Sequence, residues 1–318
     1  MRKILITSVG TATSVGLIKA LRKADPDLYL IGTDINQYGY TAGSMLADEY
    51  YQTVYADHPD YVAGICDIVK KTGTDFVIPV NDTEIERIAQ SGDVLLANRI
   101  IVPDDSTIAR VRDKYLCMLE MQKNGIPTPF QCGGGDIQIK RIIRDRIGVG
   151  SKGIEFVEKG QACSFDPRKQ FMQEYIEGQE YTVDILSDRE GIPLYIIPRK
   201  RLEVKAGVST KMEIERNEAL IELAKRVLAV YQIPGFSNIQ FIEDRSKDYY
   251  FIEINPRFGG GSIASLLAAE GMAETFIELM KRRRDIQGNL DENLKRVKWN
   301  TVITRYYEEV MKENGENG

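Results

Sequence analysis

Three oxygen-bearing side chains near residue 250 have the spacing of a hard-cation site. Residues 238–243 and 249–254 read as two strands joined by the polar turn Arg245-Ser246-Lys247-Asp248. If those four residues form the loop, so that Asp244 stands opposite Tyr249, counting back along both strands sets Gln240 directly opposite Glu253. Strand side chains alternate, so Asn255 shares the face of Glu253, while Phe241, Ile252 and Ile254 turn the other way. Oxygen donors of this kind suit Mg²⁺, which takes one or two protein groups and fills its octahedron with water and phosphate oxygens. An exposed polar face on an edge hairpin carries the same pattern, and spacing alone leaves both readings open.

Further pieces surround this set. Arg257 follows two residues after Asn255, and Gly259-Gly260-Gly261-Ser262 leads into a helix whose backbone N–H groups suit an anion. Gly148-Val149-Gly150-Ser151-Lys152-Gly153 lies between two strand-like runs, residues 142–146 and 154–157. Such a flap can close over phosphates, with Ser151 and backbone N–H groups donating and Arg144 supplying charge. It is not a Walker A loop, and an ordinary hairpin turn explains it equally well. The crossing from Gln173 to Glu180 could offer backbone groups to an adenine edge and Glu180 to ribose hydroxyls. Arg199, Lys200, Arg201, Lys205 and Lys211 form a basic stretch that reads either as a solvated surface or as a polyphosphate contact. Near the start, Ser8 to Gly16 follows a strand and opens a helix, with Asp34 ending the next strand; the arrangement lacks Gly-x-Gly-x-x-Gly, which weakens an NAD reading.

The elements that position these residues fall into two patterns. Over residues 1–111 short apolar runs (Ile4-Leu5-Ile6, residues 28–31, residues 76–80) alternate with helical stretches, which predicts an open parallel sheet. A short helix bearing Leu116, Leu119 and Met121 then ends at Asn124-Gly125 before the extended Ile126-Pro127-Thr128-Pro129. Beyond it, strand-like runs at 170–176, 181–186 and 192–198 are linked by turns, one helix covers 219–230, another 263–269, and a final strand lies within 299–307. The fold class is α/β in front and α+β behind.

Composition narrows the chemistry. Hydrophobic residues at 43% and charged residues at 28% over 318 positions fit a globular chain of about two domains. Lys and Arg number 42 against 47 Asp and Glu, and the longest basic run is Lys281-Arg282-Arg283-Arg284, so nucleic acid is not the expected partner. The uncharged run 4–18 is too short and too polar for a membrane span, and the apolar centre after Met1-Arg2-Lys3 is too short for a signal peptide, so a cytoplasmic protein is expected. The four cysteines have no CxxC spacing, and the single histidine, His58, excludes a His-ligated metal site.

The order of these pieces resembles the ATP-grasp superfamily, and within it one ATP-grasp module of the carbamoyl-phosphate synthase large subunit. The most specific stretch is Phe251-Ile252-Glu253-Ile254-Asn255-Pro256-Arg257-Phe258-Gly259-Gly260-Gly261, supported by Arg112-Asp113-Lys114 and Pro198-Arg199-Lys200-Arg201. The resemblance implies a pre-ATP-grasp domain at 1–111, an ATP-grasp domain at 112–280 with a shortened lid at about 126–178, and a C-terminal extension at 281–318 with a frayed tail. It further implies that Gln240, Glu253 and Asn255 hold Mg²⁺, with Mn²⁺ as a substitute, and that Arg257 faces a phosphorylated intermediate. Lys114 and Arg144 would contact ATP phosphates under a flap containing Gly148, Gly150 and Ser151. Glu174 and Ile176 would line the adenine pocket, Glu180 the ribose, and Lys211 the nucleotide. The implied reaction joins a small-molecule carboxylate to an amine or thiol through an acyl phosphate, with no membrane or nucleic-acid partner and a homodimer left open. Arg144-Asp145 stands where the family has Lys-Pro, which sets a carboxylate next to the cation. The competing expectation is a degenerate ATP-binding sensor or subunit without turnover.

Overall fold

The computed structural model describes residues 2–133, 138–148, 153–205, 207–281 and 289–311. Four short strands, β1 (Lys3–Ile6), β2 (Tyr29–Asp34), β3 (Glu49–Gln52) and β4 (Phe76–Ile78), make a parallel sheet in the order β3-β2-β1-β4. The uninterrupted apolar run of β1 follows from burial on both faces. Ile4 and Ile6 enter one core with Leu17 and Leu21 of helix Ala12–Ala24, while Leu5 enters another with Ile65 and Val69 of helix Tyr61–Thr72. Thr11 caps the first of these helices by accepting from the Ser14 N–H, and Gly73, at φ 67°, ends the second.

A small antiparallel sheet follows, made of β5 (Arg141–Asp145), β6 (Ile154–Val157) and β7 (Gln170–Glu174) in the order β6-β5-β7. The largest sheet comprises β8 (Gly178–Ser187), β9 (Pro193–Lys205), β10 (Val208–Ile214), β11 (Gly235–Asp244), β12 (Tyr249–Asn255) and β13 (Thr301–Thr304), ordered β12-β11-β8-β9-β10-β13. Fold class is thus as expected: a parallel α/β sheet, then a mixed region around antiparallel sheets. The two large sheets share one core, since Leu194, Tyr195, Met212 and Phe236 pack in the same cluster as Ile4, Ile6 and Phe76. Helix Met272–Lys281, which the sequence reading passed over, supplies Phe276 between Phe76 and Phe236.

Several local expectations change. Helix Lys114–Lys123 buries Cys117, Met118 and Met121, leaving Leu116 and Leu119 exposed, so its packed face is set by small and flexible side chains rather than by the leucines. The last strand is confined to Thr301–Thr304. Strand β9 extends well past Pro198 because β10 pairs with it from Ile214 to Val208, which turns the basic stretch at 199–205 into a strand.

The β11–β12 hairpin departs most instructively. Its turn is one residue tighter than counted: Asp244 N–H donates to the Asp248 carbonyl at 2.9 Å, and Lys247 adopts φ 71°. Phe241 therefore pairs with Phe251 and Glu243 with Tyr249, one step off the expected register. A bulge at Ile252 restores the step, and Gln240 pairs with Glu253. The bulge also reverses the alternation, so that Phe251, not Ile252, is buried with Phe241 and Ile254.

Candidate nucleotide and metal site

Gln240, Glu253, Asn255 and Arg257 line one cavity of about 260 Å³ together with Gly148, Thr182, Arg199, Arg201, Ser209 and the Gly259-Gly260-Gly261 turn. Its opposite wall comes from the parallel-sheet region, with Ser8, Thr11, Thr13, Asn81 and Asp82. The cavity thus lies where the end of β12 meets the loops that follow β1 and β4.

Position within the site begins with backbone anchoring. Asp113 is the N-cap of helix Lys114–Lys123, accepting from the N–H groups of Tyr115 and Leu116 at 3.1 Å each. Arg146 clamps the same carboxylate through Nη2 at 2.6 Å and Nε at 3.0 Å, and the Arg146 carbonyl accepts from the Lys114 N–H at 2.8 Å. Lys114 is thereby tied to the end of β5. Its ammonium donates to the Gly148 carbonyl at 3.1 Å and lies 3.5 Å from Glu253 Oε2. Arg144, on β5, donates to the same oxygen at 3.1 Å. Burial opposes ionisation of Glu253, yet Lys114, Arg144, the Asn255 amide and Arg257 together hold its carboxyl below the usual carboxylate range. Asn255 Nδ2 donates to Glu253 Oε1 and to Asn238 Oδ1, both at 3.2 Å, while Asn238 Nδ2 holds the Arg257 carbonyl at 3.1 Å. Asn238, paired with Asn255 and on the same face as Gln240, is a positioning residue.

Asp145 does not crowd the site. Alternation on β5 sends it to the face opposite Arg144, where Gln170 Nε2 donates to it at 3.0 Å. Its carboxylate rests against the Cα of Gly153, where an added Cβ would lie 2.1 Å from Oδ2 and where φ is +76°, so only glycine fits.

The basic stretch is not a solvated surface at its first member. Arg199 is buried and its Nε donates to Asp184 Oδ2 at 2.7 Å. Asp184, also buried, accepts from Ser262 Oγ and Ser265 Oγ at 2.6 Å each. Gly261 lets this guanidinium lie flat on the turn, for a Cβ there would stand 2.5 Å from Nη1. Ser262 does not cap the short helix Ile263–Ala268: its oxygen accepts from the Gly259 N–H at 3.0 Å while its hydroxyl donates to Asp184. Arg201 lines the cavity and meets Glu180 at 2.6 Å, with Ser209 Oγ accepting from its Nε at 3.1 Å.

Other expected contacts lie apart. Glu174 accepts from the Phe130 N–H at 2.7 Å, Ile176 is half-buried in the link between β7 and β8, and Lys211 is half-exposed 3.8 Å from Glu203. None of these, nor Glu180, belongs to the described lining of the cavity. Gly150 and Ser151 lie outside the described residues, as do the arginines after Lys281 and the C-terminal tail. Among the described residues no helix is long and apolar enough to cross a membrane.

The donor set fits a divalent cation of the magnesium type: one ionised carboxylate and two amide side chains, with the basic groups Lys114 and Arg144 beside the carboxylate. Gln240, Glu253 and Asn255 would hold such an ion.

Comparison with known proteins assigns the two halves. Residues 166–303 match the family described as ATP-grasp in the biosynthetic pathway with Ter operon, and residues 4–102 match the PylC-like N-terminal domain. No curated protein matches the chain. Among solved structures, the biotin carboxylase–β,γ-ATP complex from Campylobacter jejuni shares 17% identity at a TM-score of 0.72, covering 95% of this chain and 74% of that one. The biotin carboxylase domain of Hydrogenobacter thermophilus 2-oxoglutarate carboxylase, solved with MgADP, ADP and bicarbonate, shares 15% at 0.73, covering 95% and 73%. N5-carboxyaminoimidazole ribonucleotide synthetase from Thermotoga maritima shares 18% at 0.62, covering 91% and 78%. The family match over 166–303 carries the ATP-grasp part of the sequence resemblance, and the solved structures carry its fold, without singling out a carbamoyl-phosphate synthase module. The chain therefore carries an ATP-grasp domain behind a PylC-like N-terminal domain.

Proposed function

We propose that the protein is an ATP- and Mg²⁺-dependent ligase that activates a small-molecule carboxylate as an acyl phosphate and passes the acyl group to an amine or thiol. The observation that carries this reading is the convergence of Gln240, Glu253 and Asn255 with Lys114, Arg144 and Arg257 in and around one cavity. Bound Mg²⁺ would supply charge neutralisation across the ATP phosphates. The chain's own part is positioning: Lys114 and Arg144 for the transferring phosphoryl group, and Arg257 for the acyl phosphate at the far side of the cavity. No protein nucleophile is needed in this scheme. Biotin carboxylase and N5-carboxyaminoimidazole ribonucleotide synthetase share the fold, and one such domain is described with MgADP and bicarbonate, which supports the same nucleotide chemistry here. On this reading, residues 1–111 form the pre-ATP-grasp domain, 112–280 the ATP-grasp domain and 281–318 an extension.

A second reading, nucleotide binding without turnover, draws on Lys114 and Arg144 already being engaged by Glu253. The two separate in one experiment. Melting shifts with ATP, with and without Mg²⁺, report binding; ADP release is then measured against a panel of carboxylates, bicarbonate included, each paired with amines and thiols. Binding at about 100 times Kd raises stability by about 2.7 kcal/mol. An Mg²⁺-dependent shift with acceptor-dependent ADP release supports the ligase, a shift without release across the panel favours the sensor, and no shift removes both.

A further inference from the structure

The loop after β4 reaches into the ATP-grasp side of the cavity through one side chain. Arg257 donates from Nε to Asp82 Oδ1 at 2.7 Å and from Nη2 to Asp82 Oδ2 at 2.9 Å, a two-pronged pair across 175 residues of sequence. Asp82 is 6% exposed at its side chain and Arg257 18%, and both line the cavity. We propose that Asp82 is the positioning residue for Arg257, fixing the plane and direction of its guanidinium toward the reacting phosphate; this rests on the ligase reading above.

The support for Asp82 is itself rigid. Asp82 opens helix Asp82–Ser91, whose N-cap Asn81 accepts from the Thr83 N–H at 2.9 Å. Glu84 completes the capping box by accepting from the Asn81 N–H at 3.0 Å. Glu84 is also gripped by Thr7 Oγ1 at 2.5 Å and Ser8 Oγ at 2.8 Å, from the turn after β1. Ser8 adopts φ 49°, a left-handed conformation unusual for serine. The first helical turn is thus pinned to the parallel sheet, and the helix N-terminus favours the Asp82 charge. The charged groups facing Asp82 from other elements are Arg257 and Arg112, whose Nη1 is 3.9 Å away; Arg112 is drawn off by Glu86 at 3.2 Å. On the other side, Glu253 is the next carboxylate felt by Arg257. Without Asp82 the guanidinium would be free to turn toward Glu253 and the metal ligands.

The test uses the full chain with Asp82→Asn, which keeps shape and loses charge, and Asp82→Glu, which keeps charge. The Arg257 Nε–H resonance, assigned by its loss in Arg257→Lys, should be resolved and slow to exchange in the parent protein, lost in Asp82→Asn and present in Asp82→Glu. With an acceptor found by the panel, Asp82→Asn should lower kcat by about 10- to 100-fold while KM for ATP moves less than about twofold, and Asp82→Glu should recover part of that loss. Retention of the protected Nε–H signal in Asp82→Asn overturns the proposal. So does a parallel fall in melting temperature and ATP response without rescue by Asp82→Glu, which marks a purely structural pair. Loss of the acid limb of the pH–rate profile in Asp82→Asn overturns it in favour of a general base. If the parent protein turns over nothing on the panel, the ligase reading fails, whereas the Nε–H signal still decides whether Asp82 holds Arg257.

Discussion

Arg144 on the small sheet and Glu253 on the large sheet, 109 positions apart in the chain, meet at 3.1 Å, Nη2 to Oε2. The cation proposed for phosphate and the carboxylate proposed for metal therefore satisfy each other. On the proposed reading, a bound metal-nucleotide pair would exchange these partners, Glu253 for the ion and Arg144 for phosphate, so that neither charge would be left without a counterpart. Arg144→Ala removes one side of this exchange. It should weaken MgATP binding by about 10- to 100-fold, the equivalent of one charge-assisted hydrogen bond, as read from the ATP concentration dependence of the melting shift.

Glu253→Gln tests the other side. The amide keeps the volume of the side chain but loses the charge that would pair with the ion. Mg²⁺-dependent ADP release should fall below detection, and the melting shift with ATP should become independent of Mg²⁺, while the unliganded protein stays folded by circular dichroism. Turnover at the parent rate in this variant would remove Glu253 from the metal set.

The Asp184–Arg199 pair is a structural dependence of the same cavity. Asp184→Ala strands a buried guanidinium and leaves the Ser262 and Ser265 hydroxyls without their acceptor. A loss of about 3–5 kcal/mol is expected from the urea unfolding midpoint. Removing both members as Asp184→Leu with Arg199→Met should cost less than Asp184→Ala alone.

A pH-dependent contribution is expected at Asp104, the N-cap of helix Asp105–Arg112. The Ser106 hydroxyl, the Thr107 N–H and the Thr107 hydroxyl hold its carboxyl down to about 2. A carboxyl depressed in the folded state contributes stability above its unfolded value near ~3.9, and that contribution disappears as pH falls through about 2. Asp104→Ala should therefore cost about 1 kcal/mol at neutral pH. The difference in urea midpoint between parent and variant should shrink on acidification and vanish near pH 2.

Strand alternation and turn chemistry made the metal-type face legible, because Gln240, Glu253 and Asn255 are brought together by contacts local to one hairpin. What escaped was anything decided by a distant partner. Arg199 reads as surface charge until Asp184, on the adjacent strand β8, is seen beneath it. Asp82 has nothing in its local sequence to mark it until Arg257 is seen to reach it. Of Leu116, Leu119 and Met121, which mark their helix in the sequence, only Met121 is buried, with Cys117 and Met118 beside it. The hairpin register came out right at Gln240 and Glu253 through two departures that cancel, a tighter turn and a bulge, neither visible in the residue pattern.

That bulge at Ile252 separates the two ends of the hairpin mechanically. The cavity end is locked by Gln240, Glu253 and Asn255, whereas the turn at Arg245-Ser246-Lys247 is exposed and pairs in its own register. One residue of slack between them means that the turn can be recut in length over evolutionary time, or be engineered to carry a tag or a graft, with the strain absorbed at Ile252 before it reaches the cavity.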